Sequence, residues 1–140
     1  MTHSDKFLQN ILQETKSIAI VGASSKPHRD SYKVMDILLK HGYIIYPVNP
    51  NEVDNKILGM RCYPNLKSID EEIDMVDIFR SREAVLEITN ESIEINAKVI
   101  WMQLDIIHEE AAEIAKKHGL KVVMDRCPKI ELEKPYWTSK

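Results

Sequence analysis

Two cysteines and four glycines are all that the 140 residues contain of either type. Cys62 and Cys127 cannot make the disulfide framework of a small secreted domain, and the five histidines stand at no zinc-ligand spacing with them. Positive charge is not in excess: 19 Lys and Arg against 22 Asp and Glu leave a net charge of −3, which argues against a nucleic-acid partner. No apolar run approaches the ~20 residues of a membrane span. The polar start Met1-Thr2-His3-Ser4-Asp5-Lys6 lacks the apolar segment of a signal peptide. A cytoplasmic protein, with neither membrane nor nucleic acid as partner, is the expectation. Repeats, low-complexity tracts and linkers are also missing. The chain therefore reads as one domain over 1–140, with an N-terminal helix up to residue 16 and a tail from 130, long enough to bury a sizeable core.

The chain is organised around Ser17-Ile18-Ala19-Ile20-Val21-Gly22-Ala23-Ser24-Ser25. Ile18 to Val21 is too short for a helix and rich in β-branched residues, so it reads as a buried strand. A small-residue turn follows, then a helix pattern from about Ser31. Strand, tight turn and helix N-terminus together favour an anion, through exposed backbone N–H groups and the helix dipole. Gly22 and Ala23 allow close approach, and Ser24 and Ser25 add hydroxyls. The register Gly22-x-Ser24-x-x-Pro27 keeps only the first glycine of the dinucleotide fingerprint, and no Gly-Lys-Ser/Thr marks a P-loop. Taken alone, the turn suits either a phosphate or an ordinary strand-to-helix connection.

Strand and helix patterns then alternate. Phe7, Leu8, Ile11 and Leu12 give the first helix an apolar face, with Ser4 as N-cap. Lys26 and Arg29 lie beside the start of the next helix, with Asp30 or Ser31 as its cap. Val34, Ile37, Leu38 and His41 stripe that helix and Gly42 closes it. Residues 43–48 read as a strand ending in Val48-Asn49-Pro50. The stretch 51–72 is irregular, with a short extended piece near 57–64 and a helical turn over 68–73. Residues 74–79 form the next strand and lead to Arg80 and the N-cap Ser81. A helix faced by Val85, Ile88, Ser92 and Ile95 follows. Residues 98–103 form a strand carrying Trp101 and Gln103. A helix striped by Ile107, Ala111, Ile114, Ala115 and His118 follows, then a strand at 122–124. The tail is expected to pack through Tyr136 and Trp137. This alternation predicts a doubly wound, Rossmann-like α/β fold: a parallel sheet of about five strands with helices on both faces. Polar clusters at 22–31, 48–51, 79–82, 101–105 and 125–129 all follow strands and should converge on the sheet's carboxyl edge, where ligands of open α/β sheets bind.

Six of these segments fall in a familiar order: Val21-Gly22-Ala23-Ser24; Gly42-Tyr43 with Pro47-Val48-Asn49-Pro50; Asp77-Ile78-Phe79-Arg80; Trp101-Met102-Gln103; Glu109-Glu110-Ala111; and Met124-Asp125-Arg126-Cys127-Pro128. Over about residues 17–130 the chain resembles the stand-alone CoA-binding domain proteins, which are similar to the N-terminal domain of the succinyl-CoA synthetase α subunit. The resemblance implies coenzyme A, or an acyl-CoA, bound at the carboxyl edge. It implies phosphate contacts from Gly22, Ala23, Ser24 and Ser25, with Lys26 and Arg29 as charge partners. Val48, Asn49 and Pro50 would border the adenine or ribose, Phe79, Arg80 and Ser81 would line the next loop, and Trp101 and Gln103 the pantetheine side. Asp105 departs from the pattern, which has a small residue, usually glycine, after Trp-x-Gln-Leu.

Catalysis within this chain is not expected. The synthetase needs a further ligase domain with a phosphorylatable histidine; here His28 and His108 lie in loops and pair with no nucleophile. Cys127, after Asp125-Arg126, reads either as a buried structural thiol or as a reactive one beside a guanidinium. The reading is a small CoA-binding protein, with an NAD(P)-binding redox module and a subunit of a split acyl-CoA synthetase as alternatives. The absence of an acidic residue at the end of the second strand counts against NAD.

Overall fold

The computed structural model describes residues 3–134. In chain order the elements are α1 (Asp5–Glu14), β1 (Ser17–Val21), α2 (Asp30–Lys40), β2 (Ile44–Val48), β3 (Lys56–Ile57), β4 (Met60–Arg61), β5 (Met75–Ile78), α3 (Arg82–Glu94), β6 (Val99–Met102), α4 (Glu109–Lys117), β7 (Lys121–Val123) and α5 (Pro128–Leu132), with a 3-10 turn at Leu66–Ser68. Five strands form a wholly parallel sheet in the order β2-β1-β5-β6-β7. β3 and β4 pair as a two-residue antiparallel hairpin. The doubly wound Rossmann-like fold expected from the sequence is the one observed.

The strand sequences explain the layering. Every residue of β1, β5 and β6 is buried, as strands covered on both faces must be. Ile18 and Ile20 join a core with Leu8, Ile11 and Leu12 of α1 and Val34, Met35 and Leu38 of α2. Ala19 and Val21 join the opposite core, with Val85 and Ile88 of α3 and Ala111 and Ala115 of α4.

Four local expectations change. The N-cap of α2 is Arg29, and Asp30 is already helical, where its carboxylate complements the dipole. The turn expected over 68–73 lies earlier, because the Asn65 side chain accepts from the Ser68 amide at 2.9 Å and starts it there. Ile107 does not join the α4 stripe: it is 46% exposed, since His108 caps the helix through Nδ1, which accepts from the Ala111 amide at 3.1 Å. Finally, part of the polar cluster 125–129 is helical, Pro128 opening α5 at its first turn. Tyr136 and Trp137 lie outside the described residues.

One core residue stands out chemically. Asp77 sits in β5 between Ile20 of β1 and Trp101 of β6. It is wholly buried, and neither carboxylate oxygen has a hydrogen-bond partner. Burial pushes its carboxyl well above the ordinary range. The folded chain therefore holds this proton to higher pH than the unfolded chain does, and stability falls as pH rises from the unfolded value towards the folded one. Asp77→Leu should stabilise the protein at pH 7 by about 1–3 kcal/mol, the cost of an unsatisfied buried polar group. In urea unfolding the gain should shrink as pH falls from 7 towards about 4 and level off below that, where the carboxyl is protonated in the folded and the unfolded chain alike.

Candidate functional site

The order β2-β1-β5 places a reversal of the sheet's winding between β1 and β5. The helix after β1 covers one face of the sheet and the helix after β5 covers the other. A crevice opens beyond the carboxyl ends of the strands at such a point. Here it is a cleft of about 1040 Å³, at the upper end of small-molecule sites. The two strands are held together at its floor, where the Phe79 amide donates to the Val21 carbonyl at 2.8 Å. Gly22 crosses directly over that junction with φ +92°. A Cβ there would strike the Phe79 carbonyl, with the carbonyl carbon at 2.9 Å and Arg80 Cδ at 3.1 Å. Glycine is thus required twice, for the left-handed backbone and for the close approach.

The cleft collects Gly22, Ala23, Ser24, Lys26, Arg29, Val48, Asn49, Pro50, Phe79 and Arg80 along its lining. Three more of the sequence candidates are absent from the lining. Ser25 is turned to Glu52, whose carboxylate accepts from its amide and its hydroxyl, each at 2.6 Å. Ser81 caps α3 by position without a side-chain bond. Trp101 is fully buried and donates its indole N–H to the Arg126 carbonyl at 2.9 Å. Gln103 lines a second cavity of about 450 Å³ that shares Asp30, Phe79 and Arg80 with the first.

Backbone donors of the turn are less free than the sequence suggests. The Gly22 and Ala23 amides both donate to the Val48 carbonyl, at 3.0 and 3.3 Å. The Lys26 amide donates to Ser24 Oγ at 3.1 Å. Asn49 braces the same turn, its Nδ2 donating to the Ala23 carbonyl at 2.8 Å. The unclaimed positive groups are side chains: Lys26, Arg29 and Arg80, all exposed at the rim. They are joined by the N-terminus of α2, which has no side-chain cap and whose Asp30 and Ser31 line the cleft. Four acids also reach the lining. Glu52 is held below the usual carboxylate range by its bonds from the Ser25 hydroxyl and amide, and Glu91 Oε1 accepts from the Leu66 amide at 2.8 Å. Glu87 lies with Glu91 on α3, whereas Lys26 and Arg29 belong to the β1–α2 loop. The loop end holds Lys26 and Arg29 together with Asp30 and Glu52.

Sequence reasoning missed the wall made by Pro64, Asn65 and Leu66. Their position depends on Tyr63 pairing beside β2, its amide donating to the Pro47 carbonyl at 2.9 Å, and no local pattern announces that pairing. Asp105 has φ +67°, the left-handed region in which glycine is at ease. Its amide donates to Asp125 Oδ1 at 2.7 Å, and it lines the second cavity. Among the described residues no group of His, Cys, Asp and Glu is placed to hold a metal ion, and no helix is long and apolar enough to cross a membrane.

Fold and cleft define an open α/β domain of the type that binds ligands at a topological switch point. Residues 16–133 match the family model described as CoA binding domain, and the chain belongs to that family. It is 40% identical over 123 residues to the uncharacterized protein YneT of Bacillus subtilis, covering 88% of this chain and 90% of the relative. It is 33% identical over 119 residues to the ADP-forming acetate–CoA ligase II of Archaeoglobus fulgidus, covering 76% of this chain but 17% of the ligase. A solved structure of a hypothetical protein from Pyrococcus horikoshii OT3 superposes with a TM-score of 0.89 at 40% identity, covering 94% of this chain and 91% of that one. The resemblance drawn from the six ordered segments therefore holds.

Gly22→Ala should lower stability by about 2–4 kcal/mol, the sum of left-handed strain and a backbone clash. Urea unfolding would measure it. A loss below about 1 kcal/mol would mean that the β1–β5 junction yields easily.

Proposed function

We propose that this chain binds coenzyme A or an acyl-CoA without catalysing a reaction of its own. The nucleotide lies in the large cleft and the pantetheine arm in the second cavity. The observation that carries this reading is that the two cavities share Asp30, Phe79 and Arg80 in their linings. One is broad, with Lys26 and Arg29 on its loop; the other is narrower and holds Gln103. An elongated ligand with a polyanionic head and a thin amide-bearing tail matches that pair. Lys26, Arg29 and Arg80 supply charge to the phosphates, and Val48, Asn49 and Pro50 border the base or ribose. An NAD reading lacks support, because Asn49 follows β2 where a ribose-binding acid is needed, and the nearby Glu52 already serves Ser25. Two unpaired cysteines suit a cytoplasmic setting. The ligase from Archaeoglobus carries the matching region as a small part of its length, so a partner that supplies ligase machinery fits the same reading.

Thermal unfolding with CoA, NAD, NADP and ATP in parallel tests it. CoA at ~100 times its dissociation constant adds about 2.7 kcal/mol, a rise of roughly 10 °C for a domain of this size. A rise with NADP and none with CoA would overturn the reading. Arg80→Ala should weaken CoA about tenfold by calorimetry, the loss of one charge-assisted contact, and should leave the unliganded midpoint nearly unchanged because Arg80 is exposed.

A further inference from the structure

Cys127 and Cys62 are both unpaired and both buried, yet their surroundings differ. Cys62 lies in the core, 1% exposed, with its thiol 3.6 Å from the Asn49 carbonyl. Cys127 is 5% exposed and lines the second cavity, together with Gln103, Phe79 and Arg80. A second and independent feature marks this cavity as built for a ligand. Gln103 is 7% exposed, and its Oε1 is buried with no hydrogen-bond partner. An orphaned amide oxygen at a cavity wall costs stability unless a ligand donor meets it. Phe79 and Gln103 follow the paired positions Ile78 and Met102 at the ends of β5 and β6. Phe79 belongs to the lining of both cavities and Gln103 to that of the second, so a tail that leaves the large cleft past Phe79 and Arg80 comes to the cavity that Gln103 and Cys127 line.

We infer that Cys127 is a reversible covalent capture site for the thiol end of the ligand, forming a mixed disulfide with CoA under oxidising conditions. This rests on the CoA reading above. The oxidant is a low-molecular-weight disulfide, CoA disulfide itself. Cys127 releases its proton to solvent and its sulfur attacks one sulfur of the disulfide. The Cys127 Sγ–S bond forms, the S–S bond of the disulfide breaks, and the departing CoA thiolate takes up a proton. Cys127 is oxidised and the departing half is reduced, so no further reactant is needed. A reducing thiol reverses the exchange. The chain thereby becomes a store that locks CoA when disulfides accumulate and frees it when they are reduced.

Intact-mass analysis of the whole chain after exposure to CoA disulfide tests the inference, with peptide mapping to place the adduct. The expected result is one CoA adduct on Cys127, retained in Cys62→Ser, absent in Cys127→Ser and removed by dithiothreitol. Desulfo-CoA should suppress it by competing for the cleft, and glutathione disulfide should label Cys127 about tenfold more slowly or worse, because it lacks the nucleotide that raises local concentration. Three outcomes would overturn the capture site: no adduct despite a midpoint rise with reduced CoA, an adduct on Cys62, or equal labelling by glutathione disulfide. A chain whose midpoint moves with neither reduced CoA nor desulfo-CoA fails the binding reading instead, and the two failures are thereby told apart.

Discussion

The cleft depends on one close approach. Val21 and Phe79 leave their strands side by side, joined by an amide-to-carbonyl bond of 2.8 Å, and Gly22 turns over the Phe79 carbonyl with no room for a side chain. That contact fixes the β1 turn against the β5 end at the point where the winding of the sheet reverses. It also sets Phe79 and Arg80 on the border between the two cavities. A larger residue at position 22 would push the loops apart and change both cavities at once, although neither has its chemistry at that atom.

Around this junction the loops satisfy one another. The Val48 carbonyl takes two turn amides, Asn49 reaches back to the Ala23 carbonyl, and Glu52 holds Ser25 by amide and hydroxyl. The turn is rigid before any ligand arrives, which reduces the ordering cost of binding. The consequence is a division of labour. Backbone groups that would cradle a phosphate in a glycine-rich loop are spent on structure here, and the positive groups left on the lining are Lys26, Arg29, Arg80 and the uncapped start of α2. The chain keeps a single glycine of the dinucleotide fingerprint, and these bonds show how the other positions dispense with it.

Much of this was legible in the sequence because the relevant signals are local. Buried strands of β-branched residues, helix stripes at 3.6 spacing and the small-residue turn after β1 each declare themselves within about ten residues. Convergence of the strand-end clusters then follows from the parallel sheet alone. What was not legible depends on distant partners. Ser25 reads as a free hydroxyl until Glu52, 27 residues away, is folded against it. Trp101 reads as a contact on the pantetheine side until its indole is found bonded to the Arg126 carbonyl. The wall at Pro64–Leu66 rests on a lone pairing between Val48 and Tyr63, and the cap of α2 falls on Arg29, one residue before the acidic candidate Asp30.

The same separation of local from distant cause bears on the face of the sheet under the second cavity. Period-two alternation along β5 and β6 places Met75, Asp77 and Phe79 on one face, with Val99, Trp101 and Gln103 on the same face of the neighbouring strand. Ascending towards the carboxyl edge, the pairs run Met75 with Val99, Asp77 with Trp101, and then the positions of Phe79 and Gln103. Polarity rises along this face: apolar at the base, an unpartnered carboxyl in the middle, an amide whose oxygen is unpartnered at the top. A sequence selected for stability alone would place apolar residues at all six positions, because each orphaned polar atom costs free energy. Gln103 has a reason to be there if a ligand donor meets its oxygen. Asp77 sits one layer lower, is absent from the lining of either cavity, and has its carboxyl pushed well above the ordinary range by burial rather than by a partner. The polar character of the face therefore belongs to the cavity above it, and the carboxyl beneath marks how far the structure tolerates that polarity reaching into its core.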